Sequence, residues 1–99
     1  MRITSEKRLK DYWENDSNFE QSGRLWITRM RACSARNLIE LRTIFGTADS
    51  VGNFTVFNLR GNTYRLVVLI DYDSQRVFVR HIMTHSEYDT DKWKNDDWF

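Results

Sequence analysis

Directly after an apolar segment, Thr84-His85-Ser86-Glu87-Tyr88-Asp89 gathers an imidazole, a carboxylate and a phenol into one short stretch. Those groups suffice for general acid–base work on a phosphodiester, and histidine is the side chain that titrates nearest neutrality. The same residues also read as a helix start, with Thr84 as cap and Glu87 closing a capping box, and the two readings are compatible. Arg65 is the second chemical signal, a charged side chain inside the largely apolar run Tyr64 to Tyr72. Arginine rarely enters a strand centre unless it pairs with a carboxylate or lines a cleft. A salt bridge to Asp71 and a phosphate-binding role are both open on pattern alone. His81 and His85 stand four apart, as zinc ligands on a helix would. His81 ends a strand in this reading and no second ligand pair appears, so no metal site is expected. Cys33 is the only cysteine. It reads as a small buried hydrophobe in a reducing compartment. No Gly-rich phosphate loop, G-x-S-x-G elbow or dinucleotide fingerprint is present.

The elements that must position these residues divide by half. The first half reads helical. Ser5 can cap a helix to about Asn15, with Leu9, Tyr12 and Trp13 on one stripe. Ser17, with Glu20 three residues on, starts a second helix whose apolar side is Phe19, Trp26, Met30 and Cys33. A third short helix is expected over Asn37 to Phe45, with Leu38, Leu41, Ile44 and Phe45 inward and Gly46 as its stop. The second half reads as strands: Phe54 to Leu59, Tyr64 to Tyr72 and Val77 to Ile82. Turns at Arg60-Gly61-Asn62-Thr63 and Asp73-Ser74-Gln75 separate them. Period-two alternation puts Tyr64, Leu66, Val68 and Ile70 on one face, and Arg65, Val67, Leu69 and Asp71 on the other. Likewise Phe57 and Leu59 oppose Val56, Asn58 and Arg60. The expected fold is α+β, N-terminal helices packed on a small antiparallel sheet. Residues 90–99 are expected to be a tail or a short helix.

Bulk properties fit one folded domain over residues 1–99. Hydrophobic residues are 40% and aromatics 14%, enough for a modest core. The N-terminus has no apolar core for a signal peptide, and Leu66 to Ile70 is too short to span a bilayer, so a cytoplasmic protein without membrane contact is expected. Net charge is +1, unevenly placed. Residues 1–85 carry 13 Lys/Arg against 9 Asp/Glu, and residues 86–99 carry 2 against 5. Eleven of the first 13 cations are Arg, whose planar fork binds phosphate bidentately, which suits RNA. Ordinary solvated charge would give the same count.

At this point the strand residues become recognisable. Phe57-Asn58-Leu59-Arg60-Gly61-Asn62-Thr63-Tyr64-Arg65-Leu66-Val67-Val68 resembles the core of HigB-type toxins, a branch of the RelE-like mRNA interferases. There a V-F-N-x-x-G-N-K-Y-R-L-V pattern leads into the central strand. Val77-Phe78-Val79-Arg80 followed by Thr84-His85-Ser86-Glu87-Tyr88-Asp89 is similar to the closing V-F-I-R…G-T-H-x-E-Y-D segment of that family. The likeness runs to about Asp89. Two departures stand out: Thr63 where the pattern has Lys, and Met83 where it has Gly.

The resemblance implies a RelE-like fold and cleavage of mRNA, usually in the ribosomal A site, by attack of a ribose 2′-OH on the adjacent phosphate without metal or cofactor. It also implies a HigA-like antitoxin with a helix-turn-helix domain. Arg65 matches the strand arginine that clamps the scissile phosphate. His85 falls where relatives place a basic or imidazole group, and Tyr88 at the terminal aromatic that stacks a base or transfers a proton. Asn58, Arg60 and Arg80 are the RNA-binding candidates. A RelE-fold module that only docks an antitoxin or RNA is the alternative from another class. A DNA-binding repressor would need a helix-turn-helix signal that this chain lacks.

Overall fold

The computed structural model describes all 99 residues. Strand β1 (Arg2–Thr4) leads into helix α1 (Glu6–Asn15), a 3₁₀ turn (Ser17–Phe19), α2 (Glu20–Ala32) and a single-turn α3 (Leu38–Leu41). Strands β2 (Asp49–Val51), β3 (Phe54–Leu59), β4 (Tyr64–Asp71) and β5 (Arg76–Thr84) follow. A short α4 (His85–Tyr88) and a 3₁₀ turn (Lys92–Asn95) complete the chain. The fold is α+β, with the sheet ordered β1-β5-β4-β3-β2. The meander β3–β4–β5 is antiparallel as expected, whereas β1 joins β5 in parallel and makes the sheet mixed. Arg2-Ile3-Thr4 is too short to show a period-two signal, and so is β2. No helix is long and apolar enough to cross a membrane.

Alternation along β3 and β4 is realised. Phe57, Tyr64, Leu66 and Val68 join Leu9 and Trp13 of α1 and Trp26, Ile27 and Met30 of α2 in the main core. Each such large side chain, fully buried, contributes about 1.5–3 kcal/mol relative to exposure. The other face carries Phe54, Val56, Val67 and Met83, covered by Trp93 with Tyr88 and Phe99 packed around it. Residues 92–99 are therefore a packed cover rather than a loose tail, because Trp93, Trp98 and Phe99 give them apolar area to bury. Gly52 permits a close approach of the C-terminal residue. Its φ is +58°, and a Cβ there would sit 2.7 Å from the Phe99 ring.

The helix starts differ from expectation. Ser5 sits at φ 69° and makes no side-chain cap. The box expected from Ser17 and Glu20 does not form: Asp16 accepts from the Asn18 N–H at 3.3 Å, and Glu20 pairs with Arg24. An aspartate one residue earlier thus takes the capping position. Asn37 does cap α3, accepting from the Glu40 N–H at 2.9 Å, but that helix ends at Leu41. Ile44, expected inward, is 41% exposed, because the chain leaves helical phase before reaching it.

One irregularity bears on the site. The β4–β5 register steps from Val67↔His81 to Val68↔Val79, leaving Arg80 as an extra residue on β5. This bulge turns Arg80 and His81 to the same face, where both reach Asp96.

Candidate active site around Arg65

Arg65 is the second residue of β4, flanked in register by Asn58 on β3 and Met83 on β5. It is only 7% exposed, on the face away from the helices. The tight turn before β4 reaches back to hold it. Its Nη2 donates to Asn62 Oδ1 at 2.6 Å, and its Nη1 to the carbonyls of Asn62 at 3.1 Å and Tyr64 at 3.2 Å. Nη2 also lies 2.7 Å from His85 Nδ1. None of these partners is a carboxylate. The expected alternative, a bridge to Asp71, does not form: Asp71 lies at the far end of β4, where its Oδ1 accepts from the Ser74 N–H at 3.3 Å. A nearly buried cation without an anion is costly, and the cost falls when an anionic ligand arrives.

His85 opens α4. The start is fixed by the expected box: Thr84 Oγ1 accepts from the Glu87 N–H at 3.3 Å, and Glu87 Oε1 accepts from the Thr84 N–H at 2.9 Å. The backbone N–H of His85 donates to Thr63 O at 3.0 Å, tying α4 to the turn that holds Arg65. Capping and site readings of this segment therefore coexist. The His85 ring spans Arg65 through Nδ1 and Asp89 through Nε2, 3.3 Å from Oδ2.

Tyr88 also adjoins the guanidinium, with Arg65 Cζ 5.5 Å from the ring centroid. The ring stacks on Trp93 at 5.0 Å and 16°, and its backbone carbonyl accepts from the Trp93 indole at 3.0 Å. Burial raises the phenol above its ordinary value, opposed by the nearby Lys94 and Arg65 charges. At neutral pH it is a proton donor.

Of the six expected residues, Arg65, His85 and Tyr88 converge. Asn58 adjoins them as the register partner of Arg65. Arg60 is exposed at the end of β3, in the left-handed region at φ 51°. Arg80 is differently engaged. Its Nε and Nη2 bond both Asp96 oxygens at 2.9 and 2.7 Å, and Trp98 lies 3.7 Å from its Cζ. That pairing holds the Asp96 carboxyl well below the usual range, against the opposing effect of its burial. His81 shares Asp96, at 2.8 Å, and so has a different partner from His85.

Two contributors escaped the sequence reading. By sequence Asn62 reads only as a turn residue, although it stands three positions before Arg65, whose guanidinium it holds. Asp96 lies in the segment expected to be a tail, and the bulge that brings it two partners leaves no mark in composition.

The family described as the RelE-like toxic component of a toxin–antitoxin system, HigB toxin, matches residues 19–91. That range contains Arg65, His85 and Tyr88. The mRNA interferase toxin HigB of Escherichia coli (strain K12) is 36% identical over 52 residues, covering 50% of this chain and 50% of the relative. The mRNA interferase HigB of Shigella flexneri matches with the same figures. The corresponding protein of Escherichia coli O6:H1 (strain CFT073) is 36% identical over 53 residues, covering 50% and 52%. The chain thus spans about half the length of the curated relatives it matches. With the family match across most of its length, including the whole of the Arg65 site, the chain belongs to the HigB toxin family.

Proposed function

We propose that this chain is an mRNA-cleaving toxin that acts in the cytoplasm on messages held by the ribosome, and that a HigA-like antitoxin neutralises it. The observation that carries the reading is Arg65: a guanidinium fixed by neutral acceptors alone, in contact with the His85 imidazole and with the Tyr88 ring. Phosphoryl transfer is catalysed chiefly by positioning and charge stabilisation, and a preorganised fork supplies both.

In this mechanism Arg65 clamps the non-bridging oxygens of the scissile phosphate. His85 Nδ1, released from Arg65 as the phosphate takes the fork, accepts the proton of the ribose 2′-OH. The 2′-oxygen bonds to phosphorus and the P–O5′ bond breaks, leaving a 2′,3′-cyclic phosphate. Tyr88 protonates the departing 5′-oxygen. Asn58, beside Arg65 in register, contacts the flanking RNA, whereas Arg80 reaches it only when Asp96 lets go. No step calls on a cofactor.

The reading is tested by inducing the chain in cells and mapping breaks in ribosome-bound messages. Growth arrest with discrete breaks ending in cyclic phosphate, relieved by co-expressing the adjacent reading frame, is the expected result. Arrest with intact messages would leave the non-catalytic docking module as the better reading.

A further inference from the structure

On the helix side of the sheet, α2 and β3 line a cavity of about 220 Å³ that reaches Asn58, the register partner of Arg65. Its apolar wall includes Trp26, Phe57 and Leu59 with the half-exposed Leu25. Arg29 of α2 and Arg60 at the end of β3 are its exposed cations. None of the ten lining residues is acidic. Neither guanidinium takes part in the ion pairs of the chain. The indole N–H of Trp26 is buried without an acceptor.

The cavity borders an open length of strand. β2 pairs only with Phe54, Thr55 and Val56, whereas β4 pairs along β3 as far as Leu59. From Phe57 to Leu59, β3 therefore has a single neighbour, and its outer edge offers unpaired backbone donors and acceptors. A peptide in extended conformation is the partner that matches such an alternating row.

We propose that this edge and cavity form a docking site for an extended, carboxylate-bearing segment of the antitoxin. The segment adds to β3 as a further strand, sets one apolar side chain into the cavity and pairs its carboxylates with Arg29 and Arg60. Main-chain bonds supply affinity, and the pocket with its two cations supplies selectivity. RNA fits the place less well. The cavity wall belongs to the helix-side core through Trp26 and Phe57, while Arg65 lies on the opposite face of the sheet. The inference rests on the toxin reading above, because that reading supplies the partner.

Hydrogen exchange on the unmodified complex with the antitoxin from the adjacent reading frame tests it first. Amides within Phe57–Arg60 should slow by about tenfold or more on binding, as expected for newly paired edge groups. Arg29→Glu and Leu25→Asp lie at exposed positions and should leave mRNA cleavage on programmed ribosomes unchanged. Each should weaken antitoxin binding by about tenfold or more, so that cells stay arrested despite co-expression. An unprotected edge with both variants neutralised like the parent would overturn the proposal. A variant that loses cleavage while keeping antitoxin binding would assign the cavity to RNA, and overturns it too. If the parent neither cleaves mRNA nor binds the antitoxin, the toxin reading itself falls.

Discussion

Nη2 of Arg65 lies 2.7 Å from Nδ1 of His85, and this contact fixes the imidazole tautomer. A guanidinium offers only donors, so Nδ1 is the acceptor and the ring proton sits on Nε2, facing Asp89. The lone pair a general base needs is thus present, and in the proposed mechanism a phosphate on Arg65 would uncover it. His85→Ala should lower single-turnover cleavage on programmed ribosomes by about 10²–10⁴-fold, with RNA binding retained. Cleavage at the parent rate would reduce His85 to its place at the start of α4.

Tyr88 carries the complementary prediction. Burial holds its phenol above the ordinary value of about 10. The donor form therefore persists through neutral and mildly alkaline pH, and the alkaline limb of the pH–rate profile should lie at higher pH than an ordinary phenol would set. Tyr88→Phe should remove that limb and cost about 10²–10⁴-fold in rate. The Phe ring keeps the stack on Trp93, so a fall in melting temperature without loss of rate would mark Tyr88 as packing alone.

Asn62 grips Arg65 twice, through Oδ1 at 2.6 Å and its carbonyl at 3.1 Å. Asn62→Ala removes the side-chain acceptor and leaves the carbonyl. A loosened fork should lose about tenfold or more in kcat, since small misplacements of a catalytic group are costly. Asn62→Asp keeps an acceptor in place and should retain the fork geometry, while adding a negative charge that repels RNA. The two variants should thus split: Ala lowering kcat, and Asp raising KM. Equal effects on both constants in both variants would contradict the positioning role.

Asp96 tests how the C-terminal segment is held. Its side chain is 4% exposed and bonded by Arg80 and His81. Asp96→Ala should destabilise the fold by about 2 kcal/mol, because it leaves the Arg80 fork without its anion. For a domain this size that corresponds to a melting temperature lower by about 8–16 °C. The folded carboxyl titrates below the unfolded one. The stability it contributes is therefore complete above the unfolded value, about pH 4, and declines as pH falls below it. Parent and Asp96→Asn melting curves should converge in acid, and a gap that widened there would contradict the assignment.

The placement of Arg65, His85 and Tyr88 was legible because two local signals agreed. Alternation along β4 set Arg65 against the helix-side face, and the Thr84–Glu87 box fixed where α4 begins, hence where His85 and Tyr88 project. Local pattern was enough for their placement, whereas their expected roles came from the family resemblance. What stayed hidden depends on partners distant in sequence. β1 is three residues pairing with a strand more than seventy positions later. The Arg80 bulge breaks the period that alternation assumes, and the Asp96 anchor exists only because the bulge places two side chains together. Ser5 and Ser17 had cap-forming side chains, but backbone geometry at Ser5 and the neighbouring Asp16 decided otherwise.

Single-turnover cleavage of ribosome-bound mRNA by Arg65→Ala measures whether Arg65 meets the charge of the scissile phosphate. Loss of one preorganised charge contact costs about 3–4 kcal/mol, or roughly 10²–10³ in rate. Arg65→Lys keeps the charge and loses the two-pronged geometry, so it should recover only part of the rate. The Arg65→Ala protein should be folded and antitoxin-binding, yet slower than the parent by that factor. A folded Arg65→Ala protein that cleaves ribosome-bound mRNA at the parent rate would contradict that role for Arg65.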